Sequence, residues 1–139
     1  MSMTLLAIIG LNCGLTTIEM NEYAKTLDVP IDFTHEADLR KHSGFLPVRL
    51  AGIEAGVETY FTEDPNTLKL LPPNNAIQSD NSAIVEFRWG GNLKEAATAL
   101  YIAYILGKKC HAVLFDTEGG DYMLLDEARQ GAEAMMSIE

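Results

Sequence analysis

The helix that the sequence predicts over Leu93–Leu106 restricts the fold more than any other segment. Asn92 stands at its N-cap, and Glu95 follows three residues later, where a capping box needs it. Gly107 suits a C-terminal cap. Apolar residues surround this helix on nearly every side, which is typical of a helix packed centrally and not laid on a surface. The rest of the chain must therefore supply layers that cover it.

Two predicted strands flank this helix. Ala83–Trp89 and His111–Asp116 are rich in Val, Ile, Leu and Phe, and Gly90 and Gly91 end the first strand. If both strands belong to one sheet and run parallel, the connection between them is right-handed. The only tryptophan, Trp89, is expected in the core, and an interface anchor is the alternative.

A hairpin is predicted earlier in the chain. Phe45–Leu50 forms its first strand, and Pro47 within it favours an edge position. Gly52–Gly56 is the expected turn, and residues 57–62 alternate between apolar and polar, the pattern of a half-exposed strand. Because a hairpin pairs its strands antiparallel, the whole sheet is expected to be mixed.

The remaining elements complete one domain over residues 1–139. They are a strand over Met3–Ile9, a helix from Thr16 or Thr17 to about Leu27, a short charged segment over Thr34–His42 and a final helix over Asp126–Met136. A chain of this length can bury a sufficient core. We expect an α+β fold, a two-layer sandwich in which a mixed β-sheet carries helices mainly on one face.

The longest irregular stretch is Asp64–Ser82, which contains three prolines and four asparagines. Leu68, Leu70 and Leu71 are expected to attach it to the core. Loops of this length are uncommon in compact domains unless they have a function or are mobile. If the chain is a small enzyme, its pocket is expected beneath this stretch.

The chain is acidic, with a formal net charge of −10. This charge opposes binding to nucleic-acid backbones and to anionic membranes, and it favours a basic partner. The acidity is concentrated in two blocks, residues 51–87 and 116–139, on either side of a mildly basic one. Solubility alone is the other explanation for the charge.

The two cysteines, Cys13 and Cys110, are far apart in the sequence. Two buried free thiols are the first expectation, and a single long-range disulfide is the alternative. The apolar run Leu5–Leu15 has no basic residue before it and is too short to span a bilayer. We therefore expect a cytoplasmic protein.

No pattern of catalytic or metal-binding residues stands out. The tripeptide Gly90–Asn92 lacks the further residues of a nucleotide-binding loop, and the three histidines have no zinc-type spacing. Asp116, Glu118 and Asp121 do not follow the order of a calcium loop, so a solvated acidic turn is the stronger interpretation. We expect no enzyme activity, no cofactor and no metal.

The acidic blocks supply the candidate binding residues. If the two blocks meet in space, they form a surface of one sign that recognises a cationic partner. The candidate partner-binding carboxylates are Glu54, Glu58, Glu63, Asp64, Asp116, Glu118, Asp121 and Asp126.

Two stretches carry a resemblance to a known class of protein. They are Gly44–Phe61 and Val85–Ala96, the latter followed by the alanine-rich helix and the strand Ala112–Asp116. Together they are similar to small bacterial immunity proteins, which are encoded beside toxins of type VI secretion and contact-dependent inhibition systems. The resemblance implies a cytoplasmic protein that neutralises a cognate toxin domain by covering its basic cleft. The alternatives are the small enzyme described above and an accessory interaction subunit with exposed apolar strands.

Overall fold

The computed structural model describes residues 2–77 and 81–138. Within these residues, seven strands and four helices follow one another. The strands are β1 (Met3–Gly10), β2 (Ile31–Phe33), β3 (Gly44–Leu50), β4 (Ile53–Thr62), β5 (Ser82–Trp89), β6 (Val113–Asp116) and β7 (Asp121–Met123). The helices are α1 (Thr17–Leu27), α2 (Pro65–Lys69), α3 (Leu93–Cys110) and α4 (Leu125–Ser137).

All seven strands belong to one sheet with the order β2-β3-β4-β5-β1-β6-β7. The α+β class is confirmed, but each pairing of neighbouring strands is antiparallel, so the sheet is not mixed. The strands β5 and β6 do run in the same direction, as expected, but β1 lies between them and pairs with both. The five consecutive buried residues Leu5–Ile9 explain this central position, since a strand covered on both faces reads as a continuous apolar run.

Three helices cover one face of the sheet. The main core lies between this face and the helices, and α3 is its centre, with thirteen buried residues along its length. Helices α1 and α4 pack beside α3 through Met20, Ala24, Ala128 and Ala132. The expectation of a centrally packed helix, with the helices mainly on one face, is therefore confirmed. Among the described residues, no helix is long and apolar enough to cross a membrane.

The opposite face of the sheet is covered only in part. Helix α2 and the residues after it lie over β5, β1, β6 and β7 and form a second, smaller apolar cluster. Leu68 and Leu71 belong to this cluster, as predicted, whereas Leu70 is 84% exposed and does not attach the segment. A cavity of about 170 Å³ is lined by Ala76, Asn81 and Ser82 of this segment together with Cys110 and His111.

The β3–β4 hairpin is tighter than expected. Ala51 and Gly52 have positive φ values of 50° and 82°, and Leu50 pairs directly with Ile53. Two residues therefore form the turn, in the conformation that suits strand twist, and the predicted turn over Gly52–Gly56 is wrong.

Pro47 does not lie on an edge strand, because the unpredicted strand β2 pairs with the outer side of β3. The last residue of β2, Phe33, pairs with Val48. The ladder thus stops one residue short of the proline, which has no N–H to donate.

The ends of α3 differ in how well the sequence predicts them. Asn92 caps the N-terminus as expected, since its Oδ1 accepts hydrogen bonds from the backbone of Lys94 and Glu95. The helix continues past Gly107 to Cys110, and His111 in the left-handed conformation (φ 54°) ends it. Gly107 therefore has a different role from the predicted cap.

The free-thiol expectation for the two cysteines is wrong. Cys13 and Cys110 form a disulfide between residues 97 positions apart. The chain turns at the end of β1 and brings Cys13 beside the last residue of α3, with a Cα–Cα distance of 5.6 Å. That separation suits a disulfide without movement of the backbone.

Candidate functional site

The uncovered part of the outer sheet face is the candidate site, and we call it the open face. It consists of outward-pointing side chains on β2, β3, β4 and the second half of β5, because successive strand residues alternate between the two faces. Its members are Asp32, Phe45, Pro47, Arg49, Glu54, Gly56, Glu58, Tyr60, Glu86 and Arg88. No helix of the described chain packs over these residues, and most of them are exposed.

Phe45 is the largest exposed apolar side chain of the open face, with 53% of its surface accessible. Its ring lies against the backbone of Gly56 on the neighbouring strand. A Cβ at Gly56 would lie 2.4 Å from Phe45 Cζ, and the φ of Gly56 is 155°, so only glycine permits this arrangement. The end of the ring is therefore fixed against β4, while the exposed part of Phe45 is accessible to a partner.

A polar network continues the open face from Phe45. Glu58 pairs across the strands with Arg88, and Tyr60 pairs with Glu86. The Tyr60 hydroxyl donates a hydrogen bond of 2.5 Å to Glu58 Oε1, and this bond raises the pKa of the Tyr60 phenol. The Arg88 guanidinium lies 4.8 Å from the centre of the Tyr60 ring and also forms an ion pair with Glu86. The four side chains thus hold one another in defined positions, which lowers the entropy lost when a partner binds.

A groove of about 570 Å³ runs from Phe45 towards the start of α3. Arg49, Glu54, Lys94 and Glu95 give its walls both signs of charge. Such a groove suits a polar side chain of a partner. Thr34 and His35 also line the groove, and Thr34 Oγ1 is hydrogen-bonded to His35 Nδ1 at 2.9 Å on the exposed surface.

The predicted carboxylates separate into several places. Glu54 and Glu58 lie on the open face. Glu63 and Asp64 follow the other end of β4, and a strand of that length separates them from Glu54 by roughly 30 Å. Asp64 accepts a hydrogen bond from the backbone N–H of Asn66 and so serves as the N-cap of α2.

The second acidic block lies around β7 and away from the open face. Asp116 pairs with Leu5 and with Asp121, and Leu5 belongs to the core on the helix side, so these two carboxylates lie on the helix side of the sheet. Asp116 Oδ1 also accepts the backbone N–H of Glu118. Asp126 is in the first turn of α4. The structure therefore does not bring the two blocks onto one surface.

Other candidate sites of the sequence have simple structural roles. Trp89 is half-buried and packs against the main core, as predicted. No group of three His, Cys, Asp or Glu side chains among the described residues is arranged to hold a metal ion. None of the described residues that line the cavity of about 170 Å³ beside Cys110 and His111 is a carboxylate.

Sequence reasoning missed the aromatic and arginine side chains of the open face. The alternation of Phe45, Pro47 and Arg49 places these three residues on one face of β3. That alternation was the available signal, but it does not tell which face of the sheet the helices cover.

Comparison with known proteins identifies no relative. No protein-family model, no curated protein and no solved structure matches this chain.

Proposed function

We propose that this chain is a non-enzymatic protein-binding domain that docks its open face on a basic partner protein. The observation that carries the proposal is the exposed ring of Phe45, held on Gly56 on a sheet surface that no described element covers. An exposed aromatic ring on an uncovered sheet surface is typical of the anchors at the centres of protein interfaces.

The composition of the open face supports a protein as the partner. Aromatic residues and arginine dominate the centres of protein interfaces, and the open face carries Phe45, Tyr60 and Arg88, with the Arg88 guanidinium 4.8 Å from the centre of the Tyr60 ring. Four carboxylates and two guanidinium groups share the face, so its net charge is negative. Nucleic acid is disfavoured by that charge and by the net charge of the chain.

A toxin domain with a basic cleft is the partner that fits the resemblance to bacterial immunity proteins. In this interpretation Phe45 fills an apolar recess beside the cleft, and Glu54 and Glu58 pair with its cations. The remaining predicted carboxylates attract the same partner at long range without touching it. They are Glu63, Asp64, Asp116, Glu118, Asp121 and Asp126.

The location of the protein bears on the same proposal. A cytoplasmic protein is expected from the sequence and from the resemblance, but cytoplasmic reductants keep most thiols reduced. The Cys13–Cys110 disulfide therefore favours an oxidising compartment, or a bond that is reduced inside the cell.

The test begins with the upstream neighbouring gene: if it encodes a large secreted protein with a variable C-terminal domain, that domain is co-expressed with this chain. We expect the two to co-purify and the chain to restore growth to cells that carry the toxin domain. The double variant Phe45→Ala, Glu58→Lys is expected to lose binding by 100-fold or more, on the order of the effect of two central interface residues.

Two matched variants identify the surface. Asp121→Lys makes the same charge reversal on the helix side and is expected to weaken binding only at low salt. Ile53→Ser removes an exposed apolar side chain from the groove between α3 and α4, beyond the open face. If either control abolishes binding while the double variant binds normally, the open face is not the docking surface. If no complex forms and the cells are not protected, the result contradicts the immunity function.

A further inference from the structure

The surroundings of the Cys13–Cys110 disulfide point to a second kind of site. Cys13 is half-buried, whereas Cys110 is only 9% exposed. The Lys109 ammonium lies 3.7 Å from Cys13 Sγ and donates a hydrogen bond of 2.7 Å to the carbonyl of Gly14. The more accessible sulfur is thus the one beside a fixed positive charge.

The other charged groups around Cys13 come from two further segments. Arg40 donates hydrogen bonds from Nη2 to the carbonyls of Leu11 and Cys13 and adds a second positive charge. Glu19, in the first turn of α1, lies 3.5 Å from Lys109 and also accepts a hydrogen bond from Thr16, so it partly offsets the lysine. Two cations and one carboxylate leave the surroundings of Cys13 net positive.

We infer that Cys13 and Cys110 form a reversible dithiol–disulfide site in which Cys13 is the reactive sulfur and small thiols or dithiols are the reactants. A thiolate attacks Cys13 Sγ, forms a mixed disulfide and releases Cys110 as a thiolate that takes a proton from water. The second thiol of a dithiol then displaces Cys13 as a thiolate and closes a cyclic disulfide. The protein gains two electrons and, since Cys13 stays a thiolate, one proton, while the dithiol loses two electrons and two protons, one of which passes to water.

The structure explains why Cys13 is the better thiolate of the two. A thiolate is stabilised by a nearby lysine or arginine and destabilised by apolar burial. Lys109 and Arg40 surround Cys13, whereas Cys110 faces the main core at the end of α3. His111 follows Cys110 but is exposed and serves as the cap of the helix.

The turn that carries Cys13 does not depend on the disulfide alone. Arg40 holds the carbonyls of Leu11 and Cys13, and Lys109 holds that of Gly14. Reduction therefore leaves these hydrogen bonds in place and presents a thiolate at a defined position. This property is independent of the open face and of any toxin.

The experiment isolates Cys13 in the Cys110→Ser variant and follows its alkylation by iodoacetamide from pH 5 to pH 10. We expect the midpoint of the pH profile to lie below the ordinary thiol value of about 8.5. Lys109→Gln in this background should raise the midpoint and slow alkylation at pH 7 roughly three- to tenfold, since a tenfold loss of thiolate corresponds to one pKa unit. Lys108→Gln is the matched control, because its ammonium lies over the Tyr104 ring and not at the sulfur.

A second measurement applies if Cys110→Ser does not fold. The wild-type protein is reduced with dithiothreitol, and mass spectrometry compares the alkylation rates of the two cysteines. Faster alkylation of Cys13 supports the inference. Equal rates, faster alkylation of Cys110, or an ordinary pH midpoint that Lys109→Gln leaves unchanged would overturn it.

Discussion

The side chain of Leu125, the first residue of α4, lies directly against the backbone of Gly107 in α3. A Cβ at Gly107 would lie 2.1 Å from Leu125 Cδ1 and 3.0 Å from Leu125 Cδ2. The glycine that the sequence suggested as a helix cap is therefore a packing residue, and its missing side chain lets the two helices approach each other.

Replacing Gly107 by alanine is expected to destabilise the protein by up to about 2 kcal/mol. Alanine improves helix propensity by about 1 kcal/mol, but overpacking a filled core costs about 1–3 kcal/mol, and the whole end of Leu125 must move. Equilibrium unfolding in urea measures the change. Leu125→Ala removes the side chain that an alanine at position 107 would meet. In the Leu125→Ala background, Gly107→Ala should therefore destabilise the protein less than it does in the wild type.

Gly131→Ala is the matched helical control. The nearest atom to a Cβ there is Leu100 Cδ1 at 3.1 Å, a single methyl group at the end of a flexible side chain. We expect an unchanged or slightly higher free energy of unfolding. Equal destabilisation by both alanines would contradict the packing role of Gly107.

Reduction of the Cys13–Cys110 disulfide is expected to lower the free energy of unfolding by about 2–5 kcal/mol. A cross-link between residues 97 positions apart restricts a large part of the unfolded chain. Guanidinium unfolding of the wild type, with and without reductant, gives the difference. The Cys13→Ser, Cys110→Ser variant should match the reduced protein and be insensitive to reductant, and a reduced wild type as stable as the oxidised one would contradict the expectation.

Local signals in the sequence predict the elements better than their arrangement. The cap at Asn92 and the apolar surface of the following helix depend on neighbouring residues, so the start and the burial of α3 could be predicted. The insertion of β1 between β5 and β6 depends on pairing between residues about 80 and 110 positions apart. The pairing of Cys13 with Cys110 has the same origin, since it follows from where β1 and α3 end.

In the candidate site, too, the sequence predicts the kinds of residue better than their positions in space. Glu58 and Glu63 are close in sequence, but one lies on the open face and the other beyond the end of β4. Phe45 and Tyr60 share the open face because α2 and its apolar cluster cover only the other half of the sheet. Charge counted along the chain therefore predicted an acidic surface without its location or its aromatic centre.

Replacing Asn92 by alanine is expected to cost about 1 kcal/mol, the usual effect of losing an N-cap side chain. Asn92 Oδ1 accepts from two backbone N–H groups, at 2.9 Å from Lys94 and 3.1 Å from Glu95, and both lose this partner. Urea unfolding measures the loss. Asn92→Asp keeps the acceptor and should retain most of the stability, whereas equal losses for alanine and aspartate would show that the cap is not the reason.

Glu19 gives the protein a pH-dependent contribution to stability. Its carboxylate accepts the hydroxyl hydrogen bond of the N-cap Thr16 and lies 3.5 Å from the Lys109 ammonium, and these contacts lower the pKa of Glu19 in the folded protein. Because the folded pKa is below the unfolded one, the folded state binds fewer protons, and the contribution is complete above the unfolded pKa of about 4.3. It is lost as the pH falls through the folded pKa.

Glu19→Gln should therefore lower the free energy of unfolding at pH 7, and the difference from wild type should shrink towards pH 3. The control Glu22→Gln, three residues later on the exposed side of α1, should show a smaller difference at pH 7. A Glu19→Gln difference that is constant between pH 7 and pH 3 would contradict the assignment, and an NMR titration of the Glu19 carboxyl would measure its pKa directly.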